Sequence, residues 1–385
     1  MVATITFFPV GNGDMTLIEL ESGRTILIDV NIRAAADDPD DPAPDVASKL
    51  REKLKRDARG RLYLDAFPLS HPDQDHCGGL RQHFHLGPPE EHDPEEDKII
   101  IRELWSSPMV FRRASKNHPL CKDAKAFNRE ARRRVERFRE VGLSLGDGDR
   151  IQIMGRDENG KTDDLEHILV EVDSLLTKVN GRRDGTMTAR LLGPLPKTDD
   201  EDEEEALAKN RSSVIVRFSI TGDGVSDAGR FLTGGDAEVA IWERLWQKHR
   251  ANGWFEYDML LAPHHCSWHS LSHESWSEMG ESAKVSDDAR SALSQARGGA
   301  VIVSSSEPIT DDDTDPPCIR AKREYEGIAR EVSGSFECTG EYPSESAPDA
   351  MEFEIGANGP RLKSAWVKSF AIGGSAVGGQ PLPHG

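Results

Sequence analysis

Ten residues, Ser70-His71-Pro72-Asp73-Gln74-Asp75-His76-Cys77-Gly78-Gly79, restrict this chain more than any other part of it. Four side chains of metal-binding chemistry, His71, Asp73, Asp75 and His76, fall within six residues. The apolar-rich stretch 62–69 before them reads as a buried strand, and Gly78-Gly79-Leu80 after them as a turn entering a helix. Imidazoles and carboxylates crowded onto the loop that ends a strand suit a catalytic cation, because a rigid scaffold leaves such loops exposed. A polar turn with two chance histidines would account for one His-x-Asp. It accounts poorly for His-x-Asp-x-Asp-His.

Two later segments have the same form. Phe231-Leu232-Thr233-Gly234-Gly235-Asp236 puts a carboxylate just past a strand, with glycines that let backbones approach closely. Asp258-Met259-Leu260-Leu261-Ala262-Pro263-His264-His265-Cys266-Ser267 ends another strand in paired histidines. Alone, these read plainly as a turn aspartate and a surface histidine pair. With the first motif they put ligand-type residues at strand ends in both halves of the chain.

The apolar periodicity predicts an α/β fold whose halves are alike. The first half has a strand at 5–10, a Gly11-Asn12-Gly13-Asp14 turn and a strand pair at 15–20 and 25–29, with Gly23 in the hairpin. A Pro/Asp-rich insertion (34–45) leads to a helix at 46–57, and 124–141 holds strong helix formers without Gly or Pro. The second half has strands at 213–220, 229–233, 259–262 and 300–304, with helices at 239–249 and 321–332. We read 1–372 as one domain with halves at about 1–198 and 206–372. An acidic loop (199–205) separates them, a basic helical insertion (105–141) lies in the first, and 373–385 is a Gly/Pro-rich flexible tail.

A length of 385 residues allows a sizeable core, and no apolar run reaches membrane-spanning length. With no signal-like segment at the N-terminus, the expected location is the cytoplasm and no membrane partner is expected. Five cysteines, widely spaced and without a Cys-x-x-Cys pair, predict reduced thiols rather than disulfides or a structural zinc knuckle. The net charge of −20 argues against a nonspecific nucleic-acid coat. Even so, the segment 112–139 carries eleven Lys and Arg against three carboxylates. Arg129, Arg133 and Arg137 recur at i, i+4 and i+8 with Arg132 beside them, a helix stripe that could grip a phosphate backbone. The alternative is a solvated helix paired with the chain's own carboxylates.

At these motifs the chain resembles the metallo-β-lactamase superfamily, and more closely the soluble hydrolase domain of the ComEC DNA-uptake family. The likeness rests on Val10-Gly11-Asn12-Gly13-Asp14, on Leu27-Ile28-Asp29 at a strand end, and on the histidine motif, where Asp73 stands for the superfamily's second histidine. Leu192-Gly193-Pro194, the Asn-x-x-Ser of residues 210–213 and the last two motifs follow in the family's order. The chain departs from the pattern at Asn12 (for Gln), Pro9 (for Asp), Cys266 (for Gly) and Asp315-Pro316 (for His-Pro), and it lacks the membrane channel. His118 and His167 lie where many members have a further ligand histidine, but neither has a matching motif around it.

The resemblance implies a four-layer αββα sandwich and one or two divalent ions, zinc or manganese. His71 and Asp73 would hold one ion, Asp75, His76 and His265 the other, with Asp236 bridging. It gives Asp75 and His264 the catalytic roles, with His264 facing substrate, though the order of the histidine pair stays open. Asp29 would orient a ligand histidine and Ser267 would donate to a substrate oxygen. The implied function is a phosphodiesterase or nuclease using a metal-activated water, with a nucleic-acid or other phosphodiester substrate. The alternatives are a hydrolase of a small lactam, thioester or cyclic nucleotide, and a non-catalytic binding module. A protein partner is left unspecified.

Overall fold

The computed structural model describes residues 1–37, 43–111, 120–157, 160–195 and 213–363. Strand Thr16–Glu19 shows how its layers arise. Leu17 faces an apolar cluster with Leu27, Leu69 and Phe127, whereas Ile18 faces another with Ile5, Phe7 and Ile26. Alternate side chains of a strand point to opposite faces, so a run apolar at successive positions is buried on both. This strand belongs to a five-stranded antiparallel sheet ordered Gly359–Leu362, Met351–Gly356, Ala3–Phe7, Thr16–Glu19, Thr25–Ile28.

A seven-stranded sheet carries the second half, ordered Leu175–Leu176, Met187–Gly193, Ile215–Gly222, Val225–Thr233, Tyr257–Leu261, Ala296–Ser304, Ser335–Cys338. Its first four strands pair antiparallel, and the other three join in parallel. One face meets the five-stranded sheet, where the Phe7 ring stands edge-on to Phe231 and Phe353 at 5.7 and 6.0 Å. The other face packs Leu232, Leu260 and Ile302 against Trp242, Leu245, Ala292 and Tyr325 from helices Val239–His249, Asp287–Leu293 and Ile319–Glu331. Because Val225–Thr233 and Tyr257–Leu261 run parallel, both deliver the residues that follow them to one edge of the sheet, where α/β folds gather ligands.

Three expectations need correction. The stretch 62–69 is two strands in different sheets. Leu62–Leu64 pairs with Ile99–Ile101 and Phe67–Leu69 pairs with Glu103–Ser106. The break falls at Asp65, whose buried carboxylate accepts from Thr25 N (3.1 Å) and the Arg102 guanidinium (3.0 Å). The helix expected at 46–57 ends at Lys53, where Leu54 turns extended. The described part of the segment 105–141 is not an insertion set apart from the first half. It begins inside a strand paired on both sides, and helix Lys122–Val141 buries Ala124, Phe127, Ala131, Val135 and Phe138 in the first half's core. The acidic loop 199–205, the tail 373–385, His118 and the start of the basic segment (112–119) lie outside the described residues. No described helix is long and apolar enough to cross a membrane.

Candidate metal centre

Loops from both halves interlock around one point. Asp14 N donates to Asp75 O (3.1 Å), Val214 N to Ser70 O (2.9 Å) and His264 N to Gly235 O (3.0 Å). Two glycines make this possible. A Cβ on Gly13 would stand 2.2 Å from Asn31 Nδ2 and 2.7 Å from Asp75 O. One on Gly235, whose φ is +50°, would stand 2.8 Å from Ser70 Cβ. Three successive residues, His264, His265 and Cys266, hold left-handed φ values of 52°, 52° and 66°. Such backbone costs about 1–3 kcal/mol per non-glycine residue and persists where neighbours hold it. Here Ser267 N donates to His264 O (2.9 Å), Cys318 N donates to Cys266 O (3.0 Å), and the Ser267 hydroxyl donates to Asp315 Oδ1 (2.7 Å). The strain turns both imidazoles inward.

Asp236, buried at the centre, divides the ligands between its two oxygens. Oδ1 lies 2.9 Å from His76 Nε2 and 3.6 Å from His265 Nε2, and His265 Nε2 lies 3.3 Å from Asp75 Oδ2. Oδ2 lies 3.3 Å from His71 Nε2 and 3.6 Å from His264 Nε2. Two atoms bound to one cation at about 2.1 Å stand roughly 3.0–3.4 Å apart at octahedral or tetrahedral angles, and the distances here bracket that range at 2.9–3.6 Å. His71 Nε2, His76 Nε2, His265 Nε2 and Asp236 Oδ1 are buried without an aligned hydrogen bond, although they are this close. Buried polar atoms normally find partners. A group of donors that converge without bonding one another fits a divalent ion. Asp75, His76, Asp236 and His265 offer one ligand atom each within 4.8 Å of one another.

Carboxylates stand behind two of the imidazoles. The Asp29 carboxylate lies 2.8 Å from His76 Nδ1 and accepts from Ser70 N (2.7 Å) and the Ser70 hydroxyl (2.5 Å). Asp14 Oδ1 lies 3.4 Å from His265 Nδ1. A proton held at Nδ1 leaves Nε2 free as a ligand. Burial alone would push His76 down, but Asp236 and Asp29 outweigh it and hold the ring well above its ordinary range. Against the same burial, Asp236, Asp14 and Asp75 raise His265 to about 10. Burial would raise Asp75, yet the adjacent His265 imidazole and the His76 charge bring it down to about 2. Asp236, despite its burial, is held well below the carboxylate range by His76, His71 and His265. His264 differs, since burial pushes it down.

His71, Asp75, His76, Asp236, His264 and His265 therefore meet in one cluster. Asp73 sits at its mouth, more than half exposed, with Oδ2 at 3.7 Å from His71 Nε2. Ser267 is fully buried and its hydroxyl is bonded to Asp315, so it braces the strained turn rather than reaching a substrate oxygen. The arginine stripe is largely engaged. Arg133 makes two bonds to Glu130 (2.9 and 2.7 Å) and one to Asp149 (2.6 Å), Arg137 pairs with Glu140 (2.9 Å), and Arg132 donates to Val110 O (2.6 Å). Arg129 is exposed beside a cleft lined by Arg81, His85, Glu91 and Lys98. His167 is exposed on a turn. The sequence reading gave no role to Asp14 or Ser70, and their signal was their place inside the quoted motifs. No known protein-family model matches the chain, and no curated protein matches it.

Proposed function

We propose that the chain is a metal-dependent hydrolase of phosphodiester bonds on a metallo-β-lactamase scaffold. The observation that carries this reading is Asp236, which turns one oxygen to His76 and His265 and the other to His71 and His264, as a carboxylate shared by two divalent ions would. Asp75, His76 and His265 would hold one ion, and His71 and His264, with Asp73 at the mouth, the other. The succession of helices, five-stranded sheet, seven-stranded sheet and helices, with an apolar cluster at each junction, supports a four-layer αββα sandwich. The motif order shared with ComEC-type hydrolases supports a phosphodiester substrate.

Divalent ions in such a site lower the pKa of a water and neutralise charge building on phosphate oxygens. The residues of the chain supply position and proton handling. Asp29 holds His76 by its Nδ1, Asp14 stands beside that of His265, and each Nε2 faces Asp236. Asp75, ionised down to about pH 2, keeps negative charge at the mouth throughout the physiological range. His264, kept neutral by burial, can offer its Nε2 without first losing a proton. With Asp73, Asp75 and Asp236 supplying oxygen ligands, manganese is expected to serve as well as zinc.

The test is metal analysis of purified protein followed by hydrolysis of a nitrophenyl phosphodiester with manganese or zinc restored. Asp75→Ala should lose metal and turnover while its circular dichroism stays that of the parent. A variant that kept both would refute the assignment. Turnover restored by zinc and never by manganese would refute the carboxylate-rich reading.

A further inference from the structure

Two thiols lie against the candidate metal centre without belonging to it. Cys77 follows His76 directly and is buried, and its sulfur donates to Asp73 O at 2.9 Å. The Cys121 sulfur stands 3.7 Å away. Cys121 is partly exposed and caps helix Lys122–Val141, its sulfur accepting from Ala124 N at 3.3 Å. We propose that Cys77 and Cys121 are an oxidisable dithiol, a modification site for hydroperoxides, whose disulfide ties the metal-ligand loop to the basic helix.

Cys121 is the attacking sulfur because it alone of the two reaches solvent. The neighbouring Cys77 thiol and the helix's first N–H groups hold it down to about 6. At pH 7 that gives roughly thirty-fold more thiolate than an ordinary thiol near 8.5. Intrinsic nucleophilicity falls as the pKa falls, so the net rate gain is only about two- to threefold. Selectivity therefore comes from exposure and from the resolving thiol already in contact. In the first step the Cys121 thiolate attacks one peroxide oxygen, the O–O bond breaks, and water or an alcohol leaves after taking up a proton. Cys121 becomes a sulfenic acid and the peroxide is reduced by two electrons. In the second step Cys77 loses its proton and attacks that sulfur. The S–S bond forms, the S–O bond breaks and water leaves. The sum is two thiols and one hydroperoxide giving one disulfide, one water and one alcohol or second water.

Closing the pair to a bonded distance of about 2 Å requires one side to move. Asp123 Oδ1 accepts from both Arg81 N (3.0 Å) and Arg81 Nε (2.9 Å), which ties the helix end to the segment just past the turn Gln74–Cys77. A bonded Cys77 pulls on the turn Gln74–Cys77, breaking the Cys77 bond to Asp73 O and dragging Asp75 and His76. Ligands displaced in this way should weaken metal binding by about tenfold or more, the scale of a lost supporting contact. This consequence rests on the metal-centre reading; formation of the disulfide does not.

The experiment treats the reduced full chain, loaded with manganese, with one equivalent of hydrogen peroxide. Free thiols are then blocked with a maleimide, and the non-reduced digest is mapped by mass spectrometry. The expected product is a Cys77–Cys121 linked peptide, with Cys266, Cys318 and Cys338 recovered as maleimide adducts after denaturation. Manganese retained after gel filtration should fall and return with a thiol reductant. Cys121→Ser keeps a good helix cap, so it should bind manganese as the parent does and keep it through peroxide. Cys121 recovered as sulfinic or sulfonic acid without the linked peptide would overturn the dithiol. Manganese lost equally from Cys121→Ser, or retained by linked protein, would overturn the coupling. Reduced protein that binds no manganese would fail the metal-centre reading while the linked peptide still decides the dithiol.

Discussion

Metal binding to this site must expel protons, and their number can be worked out from the geometry. In the metal-free protein His265 titrates near 10 and His76 well above its ordinary range, so both are imidazolium at pH 7.5. A histidine ligates through a neutral nitrogen, so each must lose a proton to hold an ion. For His265 the gap of about 2.5 pH units corresponds to about 3 kcal/mol that the ion must offset, and His76 adds a further cost of the same kind. Titration calorimetry with manganese chloride at one pH, in buffers of differing ionisation enthalpy, should report close to two protons released per site. The apparent affinity should rise by roughly a hundredfold per pH unit while both rings stay protonated. In Asp236→Asn both rings lose their main counter-charge, and ring titration by NMR should show them falling toward 6.5. No proton release, or histidine titrations unmoved in Asp236→Asn, would refute the reasoning. The metal-free fold carries the converse signature. The contribution of His265, raised above its unfolded value, is complete below about pH 6.5 and lost as pH rises through 10. That of Asp75, depressed, is present above about pH 4 and lost as pH falls toward 2.

Asp14→Asn, nearly isosteric, should weaken manganese binding by about ten- to a hundredfold through the freed His265 ring, and an unchanged dissociation constant would show that the contact has no role. Arg133→Glu should lower stability by about 3 kcal/mol or more in urea unfolding, because it strips a partner from buried Glu130 and adds like charge. Arg129→Glu should leave stability within about 0.5 kcal/mol. If that variant raises the Michaelis constant for DNA and spares a small phosphodiester, the exposed end of the stripe contacts substrate. Ser267→Ala should destabilise by about 1–3 kcal/mol, leaving Asp315 short of a donor. A fall in turnover without loss of stability would return that hydroxyl to the substrate.

Strand ends are legible in this sequence because apolar runs stop at residues that cannot continue them. Leu232-Thr233 halts at Gly234, and Leu261-Ala262 halts at Pro263. Helix Val239–His249 is legible for a similar reason, as Ile241, Trp242 and Leu245 recur on one face. The break at Asp65 is not, because its cause is Arg102, a partner from the bend between two other strands. Arg133 misleads for the same reason. Its spacing displays neighbours on its own helix but not Asp149, which a loop brings alongside. Asp14 lies far in sequence from both histidines it approaches, with no ligand spacing around it, and reaches them because its backbone is tied to Asp75. Ser267 is bonded to a residue 48 positions away, a contact no local pattern encodes.

Strand Ala3–Phe7 lies inside its sheet, flanked by Thr16–Glu19 on one side and Met351–Gly356 on the other, so Thr6 faces Glu352. At about 5–20 residues per second, a ribosome takes roughly 20–70 s to supply that second neighbour after the first strand emerges. Throughout that interval the nascent chain carries an open strand edge bearing Ile5 and Phe7, a template for pairing with other chains. Chains interrupted before residue 351 should therefore be the aggregating species in expression, and a chaperone that shields strand edges should raise the yield of the complete protein more than it alters its stability.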